Sequence, residues 1–116
     1  DGLLSGVTSI IKLDDGKLML SKDLFESDAL VFKNTQIEKL SLRSLKSKTE
    51  LCFRCNNWPY FGVWTKKGSD GFVCLEPWFG IADSIDSKNE LESKEGIIKL
   101  NPHSTWQCSY TVEIRS

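Results

Sequence analysis

The sequence predicts an all-β protein, an antiparallel β-sandwich formed as one unit by residues 1–116. Three observations predict it. From Trp106 to Arg115 apolar and polar residues alternate strictly, with Trp106, Cys108, Tyr110, Val112 and Ile114 on one face, the period of a half-buried strand. Short runs rich in β-branched and aromatic residues recur along the chain, separated by Gly, Asn and Asp turn signals, which is the punctuation of sandwiches and barrels. A length of 116 residues provides for one domain and not two.

Taken in order, the turn Asp14-Asp-Gly16 leads into a strand over Lys17–Ser21, and Ser21–Glu26 reads as a short helical turn. Strands follow over Ala29–Lys33, Lys39–Leu45 and Glu50–Cys55, closed by Asn56-Asn57. Phe61–Thr65 and Gly71–Leu75 come next, joined by the turn over 67–71. Residues Asp83–Glu95 lack apolar periodicity and read as an exposed loop with at most one helical turn. Gly96–Leu100, the turn Asn101-Pro-His-Ser104 and the alternating final segment are expected to form a hairpin with a four-residue loop.

Composition narrows the function. A net charge of -1 leaves no basic excess to neutralise phosphates, so nucleic acid is excluded as the expected partner. Apolar runs such as Ala29–Phe32 are too short to span a bilayer, so no membrane role is expected either. Of the four cysteines, Cys52 and Cys55 form C-x-x-C, but inside a strand-like run rather than at a strand-to-helix turn. No further ligands stand at zinc spacing, so no metal is expected and all four are read as structural, buried thiols of a reducing, cytoplasmic setting.

The lone histidine, His103, lies in the hairpin turn and reads as an exposed loop residue. No glycine-rich phosphate loop is present. The strongest anomaly is Phe72-Val-Cys-Leu-Glu-Pro-Trp-Phe-Gly-Ile-Ala-Asp83, where an apolar run ends in a carboxylate followed by proline and two aromatics. Proline should end the strand, leaving Glu76 at its mouth amid aromatic surface, where partial desolvation favours proton acceptance near neutral pH. Trp78 and Phe79, with Trp58, Tyr60 and Trp64 upstream, are the candidates for flat apolar surface against a sugar ring. On the residues alone, an ordinary strand-end carboxylate among core aromatics is an equal reading.

That run resembles the signature of the aldose 1-epimerase (galactose mutarotase-like) family, in particular a bacterial LacX-like branch carrying E-P-W. Ser21–Phe32, Pro59–Thr65 and Gly96–His103 resemble three further family segments in the same order, the last with His-Ser where the family often has Gly-Glu. The match runs from about Lys17 to the C-terminus. The resemblance implies a galactose mutarotase-like supersandwich of which this chain is the C-terminal portion, about the last third, and no cofactor. It implies interconversion of aldose anomers by acid–base ring opening, with Glu76 as base and Asp28 as the aspartate that binds sugar hydroxyls; Trp78 joins it in substrate binding. The acid histidine of the family falls in its earlier region, so the chain is expected to be a fragment or one product of a nicked polypeptide, associating with its own N-terminal portion. A homodimer is left open. The alternatives are a non-catalytic carbohydrate-binding domain on the same fold and a small β-sandwich interaction module.

Overall fold

The computed structural model describes residues 2–33, 37–69 and 71–116. Among them are six strands: β1 (Leu30–Lys33), β2 (Lys39–Arg43), β3 (Glu50–Arg54), β4 (Tyr60–Trp64), β5 (Cys74–Trp78) and β6 (Thr111–Arg115). They form two antiparallel three-stranded sheets, ordered β1-β4-β5 and β2-β3-β6. Short 3₁₀ turns at Lys22–Phe25 and Leu91–Ser93 match the helical turns expected there. No helix among the described residues is long and apolar enough to cross a membrane.

Alternation decides what each sheet buries. In the first sheet, Leu30, Phe32, Phe61, Val63 and Leu75 share one face and pack into a core with Phe25, Cys55 and Trp58. Phe61 is fully buried at its centre. In the second sheet, Leu40, Phe53 and Val112 are in register, as are Leu42, Leu51 and Ile114. Leu40 reaches the same core, and Phe53 meets Phe61 edge-on at 6.5 Å between centroids, so the apolar faces turn towards one another. This is the sandwich arrangement expected.

Several boundaries and partners differ from expectation. Lys17–Ser21 is not a strand: Asp14 and Lys17 close a tight turn through reciprocal backbone hydrogen bonds of 3.0 and 2.8 Å, and among the described residues their bridge stays isolated. Gly96–Leu100 is not a strand either. The turn after it does form, with the Ser104 amide donating to the Asn101 carbonyl at 3.1 Å and His103 in the left-handed region at φ 63°. The hairpin does not, because β6 pairs with β3, Val112 opposite Phe53. The alternation over the last segment is correct, but its apolar face is largely open: Ile114 is 72% exposed and Cys108 is exposed too. Trp106 and Tyr110 lean on Phe79 and Trp58 at 4.8 and 5.9 Å, and none of the described residues covers Ile114. The reading of all four cysteines as buried therefore holds for Cys52 and Cys55 and fails for Cys108, while Cys74 is half-buried. The turn over 67–71 includes Asp70, outside the described residues.

The strand expected over Gly71–Leu75 is displaced to Cys74–Trp78 and runs through Glu76 and Pro77 instead of ending before them. β5 lies at an edge of its sheet, and an edge tolerates a residue without an N–H. Glu76 consequently stands in the middle of a strand and not at its mouth.

Candidate active site

Glu76 belongs to the face of the first sheet opposite the core. Alternation puts Cys74, Glu76 and Trp78 side by side on that face of β5. Register puts Trp64 opposite Cys74, Gly62 opposite Glu76 and Tyr60 opposite Trp78. Beyond β4 the rows continue to Val31 beside Gly62 and Lys33 beside Tyr60.

Around the carboxylate the geometry is specific. The Trp78 indole Nε1–H donates to Glu76 Oε2 at 3.1 Å. Directly across, Gly62 is buried and presents no side chain, and the indole lies over it. A Cβ at Gly62 would fall 2.5 Å from Trp78 Cη2 and 2.9 Å from Cε2, distances that ordinary packing does not allow. On the other flank stands Cys74. Burial pushes its thiol up, and the charge of Glu76 together with a hydrogen bond to it pushes the same way.

A second polar group forms two residues along. The Lys33 ammonium donates to both oxygens of Glu95, at 3.2 and 3.1 Å, and the Tyr60 hydroxyl donates to Glu95 Oε1 at 3.4 Å. Burial, and then the Glu95 charge, raise the Tyr60 phenol above its usual range. Tyr60 is held in the protonated, donating form.

The other residues singled out from sequence are distributed differently. Asp28 is exposed just before β1, and its Oδ1 accepts from the Ala29 amide at 2.7 Å. It lies in a bend two residues before β1 begins, and the row of Glu76 meets β1 at Val31, two strands away. The structure does not bring Asp28 and Glu76 into one hydrogen-bonded group. Trp58 and Tyr60 are buried at 9% and 6% exposure, and the Phe79 ring packs against Trp58 at a tilt of 48°, 4.4 Å between centroids. These three belong to the packing and offer no open platform. Trp64 and Trp78 are half-buried. His103 is exposed on its turn.

Sequence reasoning passed over Gly62, Cys74, Lys33 and Glu95 as members of this face. One signal was present: a glycine in the middle of Tyr60-Phe-Gly-Val-Trp64 marks a close approach by something else. What approaches depends on register, and a single sequence does not contain it.

No protein-family model matches the chain. Protein LacX of Lactococcus lactis subsp. lactis, in its chromosomal and plasmid forms, is 32% identical over 97 residues, which is 84% of this chain and 32% of LacX. The X-ray structure of a galactose mutarotase related enzyme from Lactobacillus acidophilus superposes with a TM-score of 0.78 at 36% identity, covering 85% of this chain and 34% of that one. The chain is thus similar to an aldose 1-epimerase-like family in sequence and in fold, and it spans about a third of the length of the relatives it matches.

Proposed function

Kinship with an aldose 1-epimerase-like family is the premise from which we propose that the full-length protein interconverts the α and β anomers of an aldose sugar. Glu76 takes the proton of the anomeric hydroxyl. An acid on the N-terminal portion of the same protein, a histidine in the family, protonates the ring oxygen. The C1–O5 bond breaks as the C1 carbonyl forms, rotation about C1–C2 exposes the other carbonyl face, and reclosure returns both protons. The proton count is unchanged over the cycle. Asp28 binds sugar hydroxyls from the end of β1, and the open side of Trp78 meets the apolar face of the ring. The sheet face with the N-terminal portion makes the pocket, in a cytoplasmic protein.

The observation that supports this reading best is the placement of Glu76. Its carboxylate lies on a sheet face, held at one oxygen by the Trp78 indole, in the row that carries Gly62 on the neighbouring strand. A positioned base accounts for roughly 10²–10⁴ in rate. In the full-length protein, Glu76→Gln should therefore slow the optical-rotation change of freshly dissolved α-galactose by about that factor, at unchanged thermal stability. A variant as fast as the native protein would remove Glu76 from the chemistry.

One observation favours a second reading. His103, the single histidine of this chain, stands on an exposed turn, so the acid has to come from elsewhere. A full-length protein that binds galactose, with Glu76→Gln unchanged in affinity and no anomer exchange in either form, would be a carbohydrate-binding domain on this fold.

A further inference from the structure

We infer that Trp78 is a positioning residue for the Glu76 carboxylate, and that Gly62 keeps β4 bare so that the indole can do it. The inference rests on the proposed role of Glu76 as base and extends it to two residues that act through it.

The geometry supports it from three sides. Glu76 and Trp78 are two residues apart on one strand, so their side chains leave the same face and are near neighbours. The hydrogen bond between them, 3.1 Å from Nε1 to Oε2, fixes one carboxylate oxygen and turns the other, Oε1, to a defined direction. A carboxylate at a half-buried strand position such as Glu76 otherwise turns about broad terminal torsions. Binding it to a rigid indole removes that freedom before substrate arrives, and geometric precision of this kind is where catalytic rate is gained or lost.

An indole donates to a fixed point only if its own ring is fixed. Trp78 sits diagonally across from Gly62, with Tyr60 directly opposite. A diagonal cross-strand neighbour lies within reach of a large aromatic side chain. Tyr60 is itself anchored through Glu95 to Lys33, so the ring has a firm wall on that side. Over Gly62 it lies where any Cβ would overlap Cη2 and Cε2. Gly62 has no positive φ among the glycines that do, so a turn or a strained backbone does not explain it. The indole does. A glycine weakens a strand interior, and the space it leaves is filled by the ring that holds the base.

The two roles open to Trp78 separate in kinetics. A sugar platform contributes to binding, and its loss raises KM. A positioning residue contributes to the orientation of Glu76, and its loss lowers kcat. Trp78→Phe keeps an aromatic ring over Gly62 and removes the N–H. In the full-length protein it should lower kcat for galactose anomer exchange by roughly ten- to a hundredfold, with KM within about twofold. Gly62→Ala should cause a comparable loss by displacing the ring, and little further loss in a Trp78→Ala background, where no ring remains to displace. A raised KM with kcat intact in Trp78→Phe, or full additivity of Gly62→Ala on Trp78→Ala, would overturn the inference.

A readout independent of turnover accompanies these. In ¹⁵N-tryptophan-labelled full-length protein, the indole resonance missing from Trp78→Phe should move as the carboxylate titrates, and should stand still in Glu76→Gln. A resonance that never moves, or moves equally in Glu76→Gln, sinks the positioning role. Absence of anomer exchange in the native protein would instead fell the proposed function, and the indole titration would then decide the contact by itself. Should Gly62→Ala fail to fold, Trp78→Phe and the resonance carry the decision.

Discussion

Gly96 brings Glu95 to the sheet face, and its backbone admits few substitutes. Its φ is +82°, and a Cβ there would lie 3.1 Å from the Phe79 carbonyl oxygen, 3.2 Å from Tyr60 Cε2 and 3.4 Å from Gly80 Cα. The left-handed region costs a side chain roughly 1–2 kcal/mol, and the carbonyl contact adds to it because backbone does not yield as a flexible side chain does. Gly96→Ala should therefore destabilise the full-length protein by more than about 1–2 kcal/mol in urea, with an unchanged denaturant slope. A midpoint equal to that of the native protein would mean that the loop carrying Glu95 is not held as described. At this scale the sequence was legible where chemistry is written in one side chain. Glu76 stood out as a carboxylate inside an apolar run. Trp78 was visible as an aromatic, but its neighbours were not, because Gly62 meets it through register and Glu95 reaches Tyr60 and Lys33 beside it through a loop that folds back from far along the chain. Asp28 was legible as a residue and not as a position, since its first hydrogen bond is local, to Ala29.

At the scale of elements, four strands begin and end within two residues of where patterning put them, because period-2 alternation reports a face directly. Alternation does not report partners. β6 was assigned to its sequence neighbour and pairs instead with β3, a contact across more than half the chain. Pro77 misled in the other way: a residue that cannot donate was taken to end its strand, whereas the edge position of β5 absorbs it. The pairing of β6 with β3 has an electrostatic consequence. Their polar face carries Arg43 against Glu50 at 3.2 Å and Arg115 against Glu113 at 2.7 Å. A hydrogen bond from Ser41, then the bond and charge of Arg43 and the charge of Arg115, hold the Glu50 carboxyl below the usual 4.5. Arg115 does the same for Glu113. Both folded-state values are depressed, so the contribution to stability is present above the unfolded carboxylate range and is lost as pH falls through the folded values. The unfolding midpoint of the full-length protein should drop as pH is lowered below about 4.5, and less steeply in Glu50→Gln/Glu113→Gln. An equal drop in that variant would assign the acid sensitivity to other carboxylates. Arg43, Glu113 and Arg115 face water, while the Glu50 side chain is largely covered, so the effect is expected to be modest and to weaken further with salt.

At the scale of the whole molecule, the surface is too large for the chain. Its accessible area is 9429 Å² for 13.1 kDa, whereas a compact monomer of that mass exposes roughly 6,400 Å². The radius of gyration is 16.1 Å, against about 13 Å expected for a closed domain of this length. The excess, roughly 3,000 Å² on this chain alone, would count as about 6,000 Å² over two partners, at the upper end of obligate interfaces. Much of it is apolar: Leu45 is 83% exposed, Ile114 72% and Val112 44%, and the last two continue the sheet face that buries Leu40 in the core. At about 25 cal/mol per Å² such a face is too costly to leave in water, and β6 adds an edge with unpaired backbone groups. Alternation predicted that this face would be buried, and in this chain it is open. None of the described residues covers it, and the relatives matched are about three times as long. The isolated chain should therefore elute from size exclusion as a broad self-associated species and unfold without a sharp transition. Adding the N-terminal portion of the full-length protein should convert it to a discrete complex with a cooperative melt, the outcome light scattering would register as one sharp mass. A stable monomer of 13.1 kDa that melts cooperatively by itself would show that Val112 and Ile114 tolerate water, and would detach the fold of this chain from any larger sandwich.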